Sequence, residues 1–284
     1  MIVITGATGQ LGRLIVAELL ASMSADQIGV SVRDPSKAND LAARGVRVRR
    51  GDFDDSASLA GAFEGAKQVL IVSSNAAASG GDPLAQHRNA IQAAKAAGAR
   101  RIAYTSHMGA SANSAFPPMR DHAATEAMLA ACGIPWTSLR NGFYAATVPR
   151  LVGDAARSGV LAAPADGKVS WTAHADLAAG AARILADEGR FDGPTPPLTA
   201  SEALDLADVA AVLSKQTGRV IERRIVADDD HSARLAGFGL PRPAIDIMLG
   251  LFRASRAHEF EAVDPTLAML LSRQPAAIRD FLRQ

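Results

Sequence analysis

The sequence is poor in cysteine, in aromatic residues and in net charge, and each shortage excludes a kind of protein. The one cysteine, Cys132, cannot form an internal disulfide or a zinc site made of several cysteines. The formal net charge is +1, so no excess of basic residues favours binding to nucleic acid or to an anionic membrane. The six histidines lack the paired spacing of metal ligands, so we predict no metal site.

Long apolar runs are also missing, and none comes near the roughly 20 residues that a helix needs to span a bilayer. Met1 is followed directly by strand-like residues, without the basic and apolar regions of a signal peptide. We therefore expect a soluble cytoplasmic protein with no membrane partner. Its 284 residues, 48% of them hydrophobic, suffice for one large domain or for one and a half.

Short apolar strands alternate with amphipathic helices through the first half of the chain. The predicted strands are residues 2–5, 28–32, 46–49, 68–73, 101–106 and 136–140, and the predicted helices are residues 10–21, 36–43, 57–63, 83–97 and 119–131, with Ser56 as the cap of the third helix. Such alternation is typical of a parallel sheet covered by helices on both faces. The sequence therefore predicts an α/β fold with a Rossmann-type doubly wound parallel sheet.

The second half is less regular and is mostly helical. Its predicted elements are a helix over 145–158, a strand or hairpin over 160–172 with Asp166 and Gly167 as its turn, helices over 174–185 and 204–216, a strand over 220–226 and a helical tail. We predict an NAD(P)-binding Rossmann domain over residues 1–150. Residues 151–284 are predicted to form a smaller C-terminal domain that packs on the substrate side of it and interleaves with the core sheet.

A glycine-rich loop lies between the first strand and the first helix, where residues 5–12 read TGATGQLG. This context is that of the dinucleotide-binding fingerprint, in which three glycines serve the tight turn, the approach to a pyrophosphate and the close packing of the helix. The free N–H groups at the helix start attract the phosphates. We therefore assign to cofactor binding Gly6, Thr8, Gly9, Gln10, Leu11 and Gly12.

The end of the second strand distinguishes NADP(H) from NAD(H). An NAD-specific site usually has an acidic residue here for the ribose 2′-hydroxyl. This chain instead has Arg33, with Lys37 one helical turn later, and a guanidinium pairs well with a 2′-phosphate. NADP(H) is therefore the preferred cofactor. Asp34 leaves NAD(H) open, because its carboxylate would serve NAD(H) if it faced the ribose.

Polar residues follow the other strands as well, and in an open α/β sheet ligands bind at the carboxyl ends of the strands. Asp52 is placed to accept a hydrogen bond from the adenine amino group, with Phe53 beside the ring. The remaining cofactor candidates at strand ends are Ser73, Ser74, Asn75, Thr105 and Ser106.

These segments together resemble the atypical short-chain dehydrogenase/reductase superfamily, specifically its NmrA-like branch, which includes reductases of triarylmethane dyes and of quinones. The matching segments are 5–12, 32–37, 51–52, 103–106, 122–126, 139–144 and 213–218, so the resemblance covers nearly the whole chain. It implies that the first part binds NADP(H) and that the smaller C-terminal part closes a cleft over the nicotinamide.

The acid–base pair of ordinary superfamily members is missing. In those proteins a Tyr-x-x-x-Lys pair passes a proton to a carbonyl oxygen, and the lysine lowers the pKa of the tyrosine. Neither of the two tyrosines, Tyr104 and Tyr144, has a lysine four residues later. The resemblance places Pro118 at the tyrosine position and His122 at the lysine position.

Without that pair, the sequence favours direct hydride transfer to an electrophilic, conjugated acceptor such as a quinone, a triarylmethane dye or a similar small aromatic, which needs little proton delivery. The catalytic candidates are His122, which could protonate a quinone oxygen or hold the nicotinamide ribose, Asn141, which could bind the carboxamide or the substrate, and Tyr144. The substrate-binding candidates are His107, Phe116, Phe143 and Trp171, the last three by stacking on a flat acceptor. For each of them a structural role stays open.

Two other functions also stay open. The first is a non-catalytic NADP(H)-binding redox sensor that regulates a protein partner. The second is an isomerase or a benzylic ether reductase of the same branch, although such reductases keep a lysine where this chain has His122. We expect a monomer or a homodimer, in which the helices over 83–97 and 119–131 either pair across the interface or simply cover their own sheet.

Overall fold

The structure, a computed structural model, describes residues 1–282 and contains strands that begin and end close to the predicted bounds. In chain order the strands are β1 (Ile2–Thr5), β2 (Ile28–Val32), β3 (Arg47–Arg50), β4 (Gln68–Ile71), β5 (Arg101–His107), β6 (Trp136–Asn141), β7 (Phe143–Tyr144), β8 (Val160–Pro164), β9 (Trp171–Thr172), β10 (Gly193–Pro194) and β11 (Glu222–Val226).

The helices occupy most of the rest of the described chain. They are α1 (Gln10–Leu20), α2 (Asn39–Ala43), α3 (Ser56–Phe63), α4 (Pro83–Ala96), α5 (Pro117–Ala131), α6 (Val148–Val152), α7 (Ala155–Ser158), α8 (His174–Ala186), α9 (Leu206–Thr217), α10 (Asp228–Gly237), α11 (Arg242–Arg256), α12 (Thr266–Leu271) and α13 (Ile278–Phe281). Within residues 1–282, none is long and apolar enough to cross a membrane.

Seven parallel strands form the central sheet, in the order β3-β2-β1-β4-β5-β6-β10. The order reverses between β1 and β4, which is the doubly wound arrangement of a Rossmann fold. The predicted fold class is therefore confirmed. The reversal brings the loops after β1 and β4 next to each other at the carboxyl edge of the sheet, where a ligand cleft forms in such folds.

Alternate residues of the central strands are buried on opposite faces of the sheet. Ile2 and Ile4 of β1 pack in the cluster that contains α1, α8 and α12, whereas Val3 packs in the cluster that contains α3, α4 and α5. This two-sided burial explains why the strands read as continuous apolar runs rather than as alternating patterns.

The second half of the chain contributes to two layers. Helix α8 covers one face of the central sheet and β10 extends its edge, so residues beyond 150 are interleaved with the first half. Helix α12 packs on that same face, and most of the remaining elements surround a third buried cluster that contains Trp171, Phe252 and Phe260. The division into domains 1–150 and 151–284 stays a prediction, and its last residues, 283–284, lie outside the described part.

Three local predictions are wrong. Of the two alternatives over 160–172 a strand is present as β8, but the hairpin does not form, because β8 pairs in parallel with β11 and β9 pairs in parallel with β7. The predicted helix over 145–158 is interrupted at Gly153, whose φ of +54° no helix accommodates. Helix α3 is capped by Asp55 rather than by Ser56, since the Asp55 carboxylate accepts the Ser58 N–H at 3.1 Å.

Candidate active site

The loop after β1 has the geometry of a phosphate-binding turn. Gly6 has a φ of +62°, which favours glycine, and its carbonyl accepts the N–H of Gly9 at 2.9 Å. Residues Thr8 to Gln10 are exposed at the start of α1, whereas Leu11 is buried beneath them. The first backbone N–H groups of α1 are therefore presented to solvent at the carboxyl edge of the sheet, where they would hold a pyrophosphate.

Gly12 presses α1 against this loop. A Cβ at this position would lie 2.4 Å from the carbonyl oxygen of Gly6, closer than real atoms approach. The turn and the helix start therefore form one rigid cradle that any side chain at residue 12 would open. This close approach fits a bound dinucleotide and is the role that the sequence predicted for this glycine.

The loop after β2 leaves two basic side chains without protein partners in the described part of the chain. The Asp34 carboxylate accepts hydrogen bonds from the amide and hydroxyl of Ser36, at 3.1 and 2.6 Å, so it caps its own turn. Arg33 and Lys37 are exposed, and no hydrogen bond or ion pair engages the side chain of either within residues 1–282. Both bonds from Ser36 go to Oδ1 of Asp34, so Oδ2 is the oxygen that the NAD(H) alternative would use.

The loop after β3 is tied down by its own backbone and by α4. The Asp52 carboxylate accepts the N–H of Asp54 at 3.1 Å, and the carbonyl of Phe53 accepts a hydrogen bond from Asn89 at 2.9 Å. Gly51 is needed because its Cβ would overlap the hydroxyl of Ser31. Asp52 and Phe53 are both half-buried at the sheet edge, and their adenine-binding role stays a prediction.

Residues 73–75 lie beside the glycine loop and are oriented by buried partners. The N–H of Ser73 donates to the Thr105 hydroxyl at 2.9 Å, and the N–H of Ser74 donates to Nε2 of His87 at 2.8 Å. Asn75 is exposed. The role of His87 was missed at the sequence level, although its spacing on α4, four residues after Pro83 and four before Ile91, places it on the buried face.

Thr105 and Ser106 both have protein partners for their hydroxyls. Thr105 donates to the Ser73 hydroxyl at 3.2 Å, and Ser106 donates to the carboxylate of buried Glu126 at 2.7 Å. Both side chains are at most 2% exposed. Neither hydroxyl is free for a cofactor, so their assignment to cofactor binding stays a prediction that rests on the backbone.

Glu126, which the sequence analysis gave no role, joins α5 to two strands. Its carboxylate accepts hydrogen bonds from Ser106, from Ser138 at 2.7 Å and from Arg140, whose closest nitrogen is 2.6 Å away. Burial would raise the pKa of Glu126, but the bonds from Arg140 and the two serines hold it below its usual value. The carboxylate is therefore charged and fully partnered.

His122 lies on α5 one turn before Glu126 and contacts β5. Its Nδ1 is 2.7 Å from the hydroxyl of Tyr104, a completely buried residue. Its ring stacks on His107 at a centroid distance of 6.3 Å. Burial lowers the pKa of His122 to about 4, against the opposing effect of Glu126, so this imidazole is neutral at pH 7.

His107 and Asn141 are register neighbours at the carboxyl ends of β5 and β6. Each has a buried polar atom, His107 Nε2 and Asn141 Oδ1, that finds no hydrogen-bond partner within the described residues. Tyr144 lies beyond them, with its ring 4.3 Å from that of His174. Two unsatisfied polar atoms at one sheet edge mark a place where a ligand would complete the hydrogen bonding.

The aromatic candidates are buried together. Phe143 contacts Phe116, Trp171, Phe260 and His107, with ring centroids between 5.2 and 5.6 Å apart. Phe116, Phe143 and Trp171 are each at most 8% exposed. Their rings are covered by neighbouring side chains and do not form an open stacking surface. Stacking of a substrate on them stays a prediction.

An open cavity of about 410 Å³ lies directly after β5. Residues Met108 to Ser111, Asn113 and Glu259 line it, so it combines the loop that leaves the sheet edge with the C-terminal part of the chain. Its volume is in the range that holds small organic ligands.

The parallel sheet, the glycine cradle and the free basic residues after β2 define a Rossmann-type dinucleotide-binding protein. Comparison with known proteins specifies the class further. The sequence signature of the NmrA-like family matches residues 1–276, and the chain belongs to this family.

Several relatives carry names that describe their activity. The chain is 40% identical to quinone oxidoreductase 2 of Escherichia coli (strain K12) over 249 residues, 87% of this chain and 85% of that protein. The structure of an NADPH-dependent quinone oxidoreductase from Escherichia coli, complexed with NADPH, has a TM-score of 0.92, 36% identity and coverage of 100% and 99% of the two chains. Citrobacter sp. triphenylmethane reductase, complexed with NADP(H), has a TM-score of 0.90, 30% identity and the same coverage.

Gly12→Ala tests the cradle. The new methyl group would collide with the Gly6 carbonyl, so we expect a loss of about 1–3 kcal/mol in the free energy of unfolding and weaker NADPH binding. Gly61→Ala in α3 is the matched control, because nothing lies within 4 Å of its Cβ position. Denaturant unfolding and NADPH titration measure both effects. Equal behaviour of the two variants would contradict the cradle.

Arg33→Ala tests the 2′-phosphate site. Hydrogen bonds to charged groups contribute about 1.5–3 kcal/mol, so the Kd for NADPH should rise roughly tenfold to a hundredfold, with little change for NADH. Arg44→Ala removes another exposed arginine nearby and should change neither constant. An equal loss of NADPH and NADH affinity in the Arg33 variant would argue against a phosphate contact.

Stability should depend on pH through the buried histidines. Burial lowers the pKa of His87 to about 3 and that of His122 to about 4, whereas both are near 6.5 in the unfolded chain. Below pH 6.5 the unfolded state therefore binds more protons, and the free energy of unfolding falls by about 1.4 kcal/mol per pH unit for each histidine until its folded pKa is reached. Urea unfolding between pH 7 and 4.5 measures this slope. His87→Gln should make it shallower, while His258→Gln, a change at an exposed residue, should not.

Proposed function

We propose that this chain is an NADPH-dependent reductase that directs hydride to electrophilic, conjugated acceptors such as quinones and triarylmethane dyes, without a Tyr–Lys proton relay. The observation that carries the proposal is the full-length likeness to an NADPH-bound quinone oxidoreductase, at 36% identity and a TM-score of 0.92. The likeness to the dye reductase supports the same acceptor class.

The cofactor would be held along the carboxyl edge of the sheet. The Gly6–Gly12 cradle binds the pyrophosphate, and Arg33 with Lys37 binds the 2′-phosphate. When bound, NADPH supplies the hydride. Asn141 Oδ1 and His107 Nε2 are the buried polar atoms placed to meet the nicotinamide end or the acceptor.

The acceptor would enter through the cavity after β5. Its walls come from the loop over 108–114 and from Ala257 and Glu259, so the C-terminal part of the chain limits the size of the acceptor. The aromatic cluster around Phe143 reaches this wall through Phe260, whose ring would lie 3.2 Å from a Cβ on Gly109. Walls from both segments would orient the acceptor.

The side chains available for acid–base chemistry set the acceptor class. Pro118 carries no proton donor, and half-buried His122 is neutral and bonded to Tyr104. Reduction of a simple ketone gives an alkoxide, which needs a proton donor as the hydride arrives. A quinone gives a delocalised anion, and a cationic dye gives a neutral product. The site therefore suits acceptors that do not need an acid.

Steady-state turnover tests this proposal. The purified protein, NADPH, and in parallel a small quinone, a triarylmethane dye and an aliphatic ketone are mixed, and NADPH absorbance is followed. We expect saturable turnover of the quinone and the dye and at least about a hundredfold lower kcat/KM for the ketone, since general acid catalysis is worth that much. Comparable ketone reduction would contradict the absence of a relay. Tight NADPH binding with no turnover on any acceptor would overturn the proposal and favour a redox sensor.

A further inference from the structure

We propose that Tyr104 is a positioning residue that fixes His122 in one neutral tautomer, so that His122 offers a hydrogen bond from Nε2 to an oxygen atom in the cleft but does not give up a proton. This inference rests on the proposed function for the identity of the cleft. It assigns a role to a buried tyrosine that the sequence pattern did not single out.

The hydrogen bonding around Tyr104 determines the tautomer. A buried phenol must donate its hydrogen, and the partner of the Tyr104 hydroxyl with good hydrogen-bond geometry within residues 1–282 is Nδ1 of His122, at 2.7 Å. The neighbouring Thr125 hydroxyl donates to the carbonyl of Asp121 at 2.8 Å and bonds Nδ1 of His87. Tyr104 therefore donates and Nδ1 accepts, which leaves the hydrogen of the neutral imidazole on Nε2.

The tautomer of His87 is fixed in the same way and agrees with this assignment. Its Nε2 accepts the N–H of Ser74 at 2.8 Å, so its hydrogen is on Nδ1 and points to Thr125. The Thr125 hydrogen is used by Asp121, and Thr125 thus has no hydrogen to offer Tyr104. The hydrogen bonds with good geometry in this group therefore agree with one tautomer for each histidine.

His122 is the member of the group that a ligand can reach. Its side chain is half-buried, whereas Tyr104 and His87 are at most 1% exposed. No protein atom of the described residues bonds its Nε2. The N–H at that nitrogen is therefore the polar group of the pair that is left for a carbonyl or hydroxyl oxygen.

The same group cannot act as an acid. If Nε2 lost its proton, Nδ1 would have to take the proton of Tyr104 and leave a phenolate in the core. Burial raises the pKa of Tyr104 far above its usual range; the nearby Thr125 hydroxyl opposes this shift and the charge of Glu126 adds to it. After hydride transfer a quinone is a hydroquinone anion, and water supplies the proton that completes the hydroquinone.

The surroundings of His122 keep it neutral. Tyr104 and His107 face it from β5, His87 lies behind Tyr104 on α4, and Glu126 lies one turn away on α5. Glu126 is the one anion of this set, and its carboxylate is already bonded to Arg140 and two serines. Quinone reduction should therefore show no titration of His122 between pH 5.5 and 8.

The first test is nitrogen-15 NMR of histidine-labelled protein without cofactor, which needs no activity. The His122 signals, assigned by their loss in His122→Gln, should show a bare Nδ1 and a protonated Nε2. Tyr104→Phe keeps the ring and removes the donor, so the His122 signals should move toward a mixture of tautomers. A protonated Nδ1 in the wild type, or no change in the Tyr104 variant, would overturn the proposal.

The second test is kinetic. Loss of one oriented hydrogen bond should lower kcat/KM for a quinone roughly fivefold to thirtyfold in Tyr104→Phe, with no new pH dependence. His122→Gln, whose amide still accepts and donates, should keep more activity than His122→Leu. Thr199→Val, which removes a buried hydroxyl bonded to Asp264 instead, should match the wild type. Wild-type kcat/KM in both Tyr104→Phe and His122→Leu would overturn the proposal.

Comparison of two acceptors shows whether the oxygen bound by Nε2 belongs to the quinone or to the cofactor. If Nε2 binds the quinone carbonyl, His122→Leu should impair quinone reduction and spare the dye, which has no oxygen at its reacting carbon. If it binds the cofactor ribose, both reductions should fall and the Kd for NADPH should rise. Should the wild type reduce neither acceptor, the proposed function fails, while the NMR result still decides the tautomer.

Discussion

A carboxylate that leaves water must recover its hydrogen bonds inside the protein, and Glu126 recovers them from two neighbouring strands. Ser106 of β5 and Ser138 of β6 donate to one of its oxygens, and Arg140 reaches both. Removing Arg140 would leave the buried charge of Glu126 uncompensated, which is costly. The bond set therefore fixes the height and rotation of α5 against the sheet, and with them the place of His122 one turn earlier.

A second hydrogen-bond network links α5, which carries Glu126, to the loops after β3 and β4. The amide of Gln86 donates to Asp54 at 2.8 Å, and Gln86 also bonds the hydroxyl of Ser74. Ser74 donates through its N–H to His87, and His87 continues to Thr125 on α5. The loops after β3 and β4 are thereby coupled to the helix that carries His122. Such a site is ordered before a ligand arrives, which lowers the entropic cost of binding.

The sequence was sufficient to predict the sheet, the glycine loop and the basic residues after β2, because these depend on local patterns. Apolar runs, the position of Gly12 and the type of residue at 33 can all be read without knowing distant contacts. The hairpin over 160–172 was wrong for the opposite reason. Asp166 bonds the Leu206 N–H at 2.7 Å and pairs with Arg223 at 2.9 Å, so the segment is held by residues far along the chain. The cap of α3 is Asp55, one residue before the predicted Ser56, and a local pattern does not locate a helix start to within one residue.

The residues of the candidate site also differ in whether local patterns or distant contacts determine their position. Residues whose backbone or charge matters, from Gly6 to Lys37, lie where the pattern put them. Residues whose side chains matter required the packing: Ser106 turned out to bond Glu126, and Phe116 and Trp171 joined a buried cluster. Tyr104 shows this most clearly. It lies in a run of seven buried strand residues, where the sequence gives no sign that it differs from a core aromatic. Its hydrogen bond to His122 is visible only in the structure. A strand residue on the buried face can thus set the chemistry of a helix residue on the ligand side, and that relation exists only in three dimensions.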